Sequence, residues 1–459
     1  MLTPESERFM KQHILLVNPW IHDFAAYDLW AKPLGLLSIA AILRRNGANI
    51  TFFDCCAAAS VQGGGKLKRK PGGQGHFNKE PIETPSPLRH VRRRYYRYGM
   101  TPSDALSFWR KTSSPDLIMV TSMMTYWYGG VRETIDLLRH AFPGTPIVLG
   151  GVYATLMPDH ARRVSGADRV LPGRAEETLT DLAAEFGTET LSPPRDYAFF
   201  ADIVYPAFDV MVSRPYVPVM SSRGCPYRCV YCASPYLNDS FCERDPCAVV
   251  DEICHWRFTY GVTNIAFYDD ALLVHAESRA IPMMEEILHR RLDVAYHCPN
   301  GLHAREITPP VARLMKRSGF QTIRLGLETT DEKRQRVTGG KVTNDEIGAA
   351  ITALRRAGYQ QNDIGVYILC GLPGQTVSEV EHAVRLVLRE GGRPFLAEYS
   401  PIPHTPLWEE ALAVSPFDLE NEPLYHNNTL VPCGGNEFTA HRLQVLKSMS
   451  RGRYISCAV

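Results

Sequence analysis

Apolar positions along the chain fall into two series in which strand-like and helix-like periods alternate. HILLVNPW (13–20) is a continuous apolar run that ends in a turn signal, which predicts a buried parallel strand. LGLLSIAAILRRNG (34–47) has helical periodicity and stops at a glycine. NITFFDC (49–55), DLIMVTSM (116–123) and PIVLGGVYA (146–154) predict three further strands, with a helix around 129–141. Such alternation implies a parallel sheet with right-handed crossovers. Residues 1–195 are therefore expected to form a doubly wound α/β domain, its ligand at the carboxyl ends of the strands.

The second series begins near 217. Strands are expected at 217–220, 264–273, 293–302, 321–330, 365–374 and 395–408, with helices at about 246–260, 309–318, 344–357 and 376–390 and another after 273. Six strand–helix repeats with polar, Gly or Pro residues at the strand ends predict a partial (β/α)6 TIM-like barrel over 196–408. Folds of this kind carry their chemistry at the carboxyl ends of the strands. Residues 409–459 remain as a C-terminal tail.

Residues 57–111 interrupt the first series without a clear period. Twelve Lys/Arg stand against three Asp/Glu in 61–111, in GGGKLKRKPGGQG and LRHVRRRYYRYG. So long an irregular insertion suggests a functional lid or disorder. Its basic, tyrosine-rich run has two readings: a grip on phosphates or bases, or a surface packed on its own protein. The whole chain has 459 residues and a formal net charge of +1, so no global field points to nucleic acid or to a membrane. MLTPESERFMKQH has no apolar core of a secretory signal, and no apolar run approaches the ~20 residues of a membrane span. The expectation is a cytoplasmic protein.

In a reducing compartment the twelve cysteines matter by their spacing. Nine have no ligand spacing and read as small buried hydrophobes. Among them, Cys242 and Cys247 stand close to the remaining three, and Cys370 adjoins a Gly-Leu-Pro-Gly turn that could bring it near a ligand. Cys225, Cys229 and Cys232, in SSRGCPYRCVYCASP, have C-x3-C-x2-C spacing. Three thiolates on one loop can hold three corners of an iron–sulfur cubane and leave the fourth iron open for a substrate or cosubstrate. A zinc site with a remote fourth ligand is the alternative.

With Tyr231 before the last cysteine, this segment resembles the signature of the radical S-adenosylmethionine (radical SAM) superfamily. The resemblance implies a [4Fe-4S] cluster on Cys225, Cys229 and Cys232 whose open iron is chelated by SAM. It implies one-electron cleavage of SAM to methionine and a 5′-deoxyadenosyl radical, fed by a one-electron reductant of the flavodoxin or ferredoxin type. Asp269 and Asp270 resemble the position that binds the SAM amino group, and Glu328 the acidic residue that binds its ribose. Gly371, in Gly371-Leu372-Pro373-Gly374, resembles the turn near adenine; Pro401 and Pro403 resemble the strand end beside the adenosyl moiety.

The segments NPW, PLGLLSIAAILRRNGANITFFD, DLIMVTSMMT, PIVLGGVYATLMPDH and PGRAEETLTDLA resemble the cobalamin-binding domain that precedes many radical SAM barrels. Ser122 then lies where the cobalamin tail passes, and Gly150 and Gly151 allow close backbone approach. Cobalamin is thus a third candidate cofactor. One departure stands out. Asp54 is followed by CCAAAS, not by the His of D-x-H-x-x-G, so this loop supplies no lower axial imidazole. Some radical SAM relatives lack that His too. His13 and His22 read as structural. Three functions follow: a cobalamin-dependent radical SAM methyltransferase acting on an unactivated centre; a non-methylating radical SAM isomerase or cyclase with a cofactor-free B12-like domain; or a metal-stabilised binding protein. The substrate is an unspecified small molecule or peptide. A methylthiotransferase is set aside, because the first domain has only the adjacent Cys55-Cys56 where a second cluster would need three cysteines.

Overall fold

The computed structural model describes residues 12–57, 69–174 and 204–452, together with 179, 181, 182 and 184–186. The expected boundary near 195, most of GGGKLKRK and much of PGRAEETLTDLA lie outside the described residues.

The chain opens with β1 (His13–Asn18) and a short β2 (Ile21–Asp23), then β3 (Asn49–Asp54), β4 (Lys79–Ile82), β5 (Tyr95–Tyr98), β6 (Leu117–Val120), β7 (Ile147–Leu149) and β8 (Arg169–Val170). The first sheet is parallel in the order β3-β1-β6-β7-β8. Its central strand explains the apolar run at the N-terminus. Ile14 and Leu16 face the helix Leu34–Arg45, while Leu15 and Val17 face the helix Tyr128–Ala141. Both faces are covered, so no polar alternation survives. The chain leaves β1 to opposite sides for β3 and β6, which opens a crevice at their carboxyl ends. The strand expected over 146–154 ends at Leu149, and Val152–Leu156 is helical instead.

The 57–111 segment is not irregular where it is described. β4 and β5 pair antiparallel with each other, and β5 pairs with β2, giving a three-stranded sheet. The helix Pro102–Trp109 buries Ala105 and Trp109 in the first domain's core. Part of its basic charge is paired within the protein. Arg97 pairs with Glu80 and Glu133, Arg89 with Glu83, and Arg69 with the fully buried Asp28. The period was illegible because antiparallel strands of four residues are too short to display one.

The second half builds β9 (Val217–Val219), the pair β10 (Ser222–Arg223) and β11 (Cys242–Glu243), then β12 (Asn264–Phe267), β13 (Ala295–His297), β14 (Phe320–Glu328), β15 (Ile364–Cys370) and β16 (Arg393–Glu398). The main sheet is parallel and sequential, β16-β15-β14-β13-β12-β9, with no pairing between its edges, so the barrel is partial. Two of its strands are shorter than their apolar runs. Residues 271–274 are buried in turns beyond β12, and 298–302 run as loop beyond β13. Cys370 is fully buried among the packed side chains between sheet and helices, so it approaches no ligand, and burial lifts its thiol pKa to about 12.

The first domain plugs the barrel. Trp30 stacks on the inward-facing His297 at 4.7 Å and donates Nε1–H to Gly72 O at 2.7 Å. Asp28 accepts from Tyr216 of the barrel as well as from Arg69. The tail is likewise structural. The helix Ala440–Met449 sits on the barrel through Leu446 and Met449, and Asn427 donates to Asp23 of the first domain at 2.9 Å. Cys433 is buried there.

Candidate active site

The cysteine loop leaves β10 through Gly224, whose φ of +76° favours glycine and whose missing Cβ would sit 2.6 Å from Ser240 O. The loop is pinned by two outside segments and by one bond of its own. Val230 donates N–H to Thr338 O at 3.4 Å, Val230 O accepts from Leu407 N at 3.0 Å, and Cys232 N donates to Cys229 O at 3.0 Å. Cys232 Sγ accepts from Ser234 N at 3.4 Å, at the start of the short helix Ser234–Leu237. Burial pushes the Cys225 thiol up to about 11 and raises Cys232 as well; Asp270 and the neighbouring thiols add to both. A bound metal would deprotonate them, with release of protons.

The donor set fits a cubane better than a single ion. Among the described residues no three His, Cys, Asp or Glu side chains converge closely enough to hold one metal ion. In a cubane each thiolate binds a separate iron, so convergence on a point is not required. The zinc alternative finds no fourth ligand among the described residues.

The two adjacent carboxylates behave differently. Asp269 is buried and saturated: it accepts from Ser221 N and Oγ, from Ser222 Oγ and from Arg279 Nη1. Those bonds fasten β10 to the end of β12, so Asp269 serves the fold where the resemblance implied contact with SAM. Asp270 is solvent-exposed at the mouth and accepts from Ser234 Oγ at 2.6 Å. Protein packed around it, and then the charge of Asp269, raise its pKa. Ser234 therefore bridges the Cys232 thiol and the open carboxylate.

Glu328 ends β14 at a register shift, with φ at +67°, a conformation that costs a side-chain-bearing residue about 1–3 kcal/mol. Its Oε1 accepts from Lys341 Nζ at 2.6 Å. Tyr231 lies beneath, with Lys341 Nζ 5.7 Å from its ring centre. Burial raises the Tyr231 hydroxyl pKa, and Glu328 and Cys229 raise it further. Neither Lys341 nor Ser234 stands out in the sequence. The pair Gly339-Gly340 before Lys341 was the available signal.

Gly371, expected beside adenine, gives its Cβ space to Val431 of the tail. Pro401 and Pro403 are buried at the end of β16, and His404 beyond them stacks on Tyr236 at 4.2 Å and bonds Leu156 O at 2.9 Å. This strand end thus meets the first domain near its carboxyl edge.

At that edge Ser122 is buried. It donates Oγ–H to Gly150 O at 2.6 Å and accepts from Ala154 N at 3.3 Å. Gly151, at φ +92°, has no room for a Cβ against Ser122 O, so its glycine serves packing. Gly150 is different: only Leu171 O, at 3.9 Å, approaches its Cβ position, so its surface is open to a ligand. A recess lies in the β1/β6 crevice, lined by Asn18, Pro19, Thr121, Ser122, Met123 and Trp127. The recess is mostly apolar but small, about 60 Å³, and Gly150 lies outside its lining, so it has room for part of a large cofactor's edge and not for a whole corrinoid. The loop after β3 turns inward. Asp54 accepts from Asn18 Nδ2 and Cys56 N, and the Cys56 thiol is buried against Pro19 O. The loop's described residues, 55–57, offer no axial imidazole.

Comparison with known proteins agrees with this layout. The radical SAM superfamily pattern matches residues 219–387 and the B12-binding domain pattern matches 94–183. An "Uncharacterized methyltransferase PH0819" from Pyrococcus horikoshii is 25% identical over 66% of this chain and 71% of its own length. An "Anaerobic magnesium-protoporphyrin IX monomethyl ester cyclase" from Cereibacter sphaeroides is 24% identical over 64% of this chain, but only 53% of that protein is spanned. Among solved structures, the radical SAM methyltransferase TsrM from Kitasatospora setae, with tryptophan substrate and a SAM analogue, aligns at a TM-score of 0.65 and 17% identity over 88% of this chain and 77% of that one. The cobalamin-dependent radical SAM enzyme OxsB, with aqua-cobalamin and SAM, aligns at 0.57 and 13% over 90% and 56%. Two domain patterns in this order, with the three-cysteine loop at the mouth of a partial parallel barrel, place the chain in the radical SAM superfamily, in its B12-binding-domain subclass, as an enzyme whose family cofactors are a [4Fe-4S] cluster and SAM.

Proposed function

We propose that the chain is a cobalamin-dependent radical SAM methyltransferase acting on an unactivated centre of a small molecule. The observation that carries this reading is the contact of the cysteine loop, through Leu407 and His404, with the carboxyl edge of a B12-binding-type sheet. When bound, cluster, SAM and cobalamin together supply radical generation and a transferable methyl group. The protein's own part is positioning. Cys225, Cys229 and Cys232 hold the cluster; Asp270 and Glu328 are placed to accept hydrogen bonds from an ammonium and from ribose hydroxyls. Tyr231 and Pro403 pack beside the nucleoside, and the Gly150 surface and the residues around Ser122 cradle the corrinoid. Trp30, Asp28 and the turn at Gly72–Gly73 close one side of the barrel and exclude water from it.

A second reading is a non-methylating cyclase, favoured by the relatives named as anaerobic cyclases, of which this chain spans about half to three fifths. A one-electron reductant of the flavodoxin or ferredoxin type and a cytoplasmic setting belong to both readings. Among the described residues no helix is long and apolar enough to cross a membrane. The decisive test is anaerobic production with cobalamin supplied, followed by assay of cobalt, iron and sulfide per chain and of the products of SAM. Cobalt near one per chain with S-adenosylhomocysteine supports methyl transfer. Iron with 5′-deoxyadenosine but no cobalt supports the second reading. A chain that binds no iron removes both.

A further inference from the structure

The cysteine loop is roofed by the segment that joins the helix Glu332–Val337 to the next helix, Asn344–Arg356. Thr338 O receives the N–H of Val230 between the second and third cysteines. Gly339, at φ +122°, lies so close to Cys229 that a Cβ would stand 3.0 Å from its Cα and 3.3 Å from its Sγ. Two residues on, Lys341 turns back under this roof. Its ammonium donates to Glu328 at 2.6 Å and lies 5.7 Å from the ring centre of Tyr231, which stands between Cys229 and Cys232 in the loop. Room for it is made by Gly326, where a Cβ would lie 2.7 Å from Lys341 Nζ and 2.8 Å from Glu328 Oε1. One glycine thus clears the path for the lysine, and the other lets the roof approach Cys229.

That placement is costly unless the charge is used. Burial works against an unpaired ammonium, and the Glu328 carboxylate at 2.6 Å supplies its partner. The lysine side chain is about one-sixth exposed and the glutamate about one-eighth, so solvent screens the pair little. A fixed cation beside thiolate ligands stabilises the more negative, reduced cluster; net charge and burial are the protein's levers on such potentials.

We propose that Lys341 is a positioning residue that also acts through its charge. It raises the reduction potential of the cluster held by Cys225, Cys229 and Cys232, while its ion pair holds Glu328 in the left-handed conformation that aims it at the barrel mouth. This rests on the cluster reading above. Glu328 is the counterweight. One carboxylate orients the lysine and also tempers its field, so the two residues shift the potential in opposite directions.

The test uses the anaerobically reconstituted full chain and a redox titration followed by electron paramagnetic resonance, without SAM. Iron and sulfide are measured first; a wild-type chain without iron removes the cluster reading and this inference together. With cluster present, Lys341→Met is expected to lower the reduced-to-oxidised ratio at a fixed poise about tenfold, which for one electron is about 59 mV. Lys341→Arg is expected to restore most of it, and Glu328→Gln to move the potential the other way. Wild-type potentials in Lys341→Met with full iron overturn the inference. So does a shift of the same sign in Lys341→Met and Glu328→Gln, or equal iron loss in Lys341→Met and Lys341→Arg, since each marks a merely structural role.

Discussion

Gly371 and Val431 share one space: a Cβ on the glycine would overlap the Cγ1 of the valine. The turn after β15 and the C-terminal segment are thereby locked together, and the segment in turn reaches the first domain through Asn427 and His426. Gly371→Ala should push the segment off its seat. Overpacking of this kind costs about 1–3 kcal/mol, and the φ of +86° adds strain. The expected result is a lower Tm, partly restored in Gly371→Ala/Val431→Ala. A Tm unchanged by the single substitution would show that the segment is not seated there.

Cys225→Ala, Cys229→Ala and Cys232→Ala should each abolish iron–sulfur absorbance after anaerobic reconstitution. Cys242→Ala and Cys247→Ala should retain full iron, because Cys242 is held in the β10–β11 pair opposite Arg223 and Cys247 is exposed on the helix Pro246–Tyr260. Iron per chain is the measurement. Equal loss in all five variants would refute the three-ligand assignment.

Asp269 and Asp270 should separate under substitution. Asp269→Ala leaves the Arg279 guanidinium buried without that partner and frees two serines, a change worth about 3–5 kcal/mol. Asp270→Asn removes an exposed charge, so Tm should hold while SAM affinity falls. Thermal unfolding and equilibrium binding of SAM distinguish the two. An Asp269→Ala chain as stable as wild type would contradict the buried network.

Acid should destabilise the protein before its carboxylates titrate. Burial, the largest cause in each case, depresses His160, His297 and His426 to about 4 and His303 to about 3. In the unfolded chain these imidazoles take up protons near 6.5. The unfolded state therefore binds more protons between about 6.5 and 4, and stability present above that window is lost as pH falls through it. Tm should drop steadily from pH 7 to 4.5, with a shallower slope in His297→Gln. A flat profile would mean that these rings are solvated.

The alternating apolar runs carried both parallel sheets and their helices, because strands covered on both faces have no choice but continuous hydrophobicity, as in β1 and β6. Cysteine spacing singled out the candidate cluster loop for a similar reason: its three thiols are local, all within residues 225–232. Three-dimensional packing decided the rest. It assigned Asp269 to a buried network and left Asp270 open, though their sequence neighbourhoods are nearly the same. It brought Lys341 beside Glu328 and the cysteines, and it made a sheet from three strands too short to show a period. It also turned the tail into a clasp, and it gave Gly151 to packing against Ser122. Each of these depends on contacts between residues far apart along the chain. Local pattern records the face a residue must bury; only the folded chain determines what meets it there.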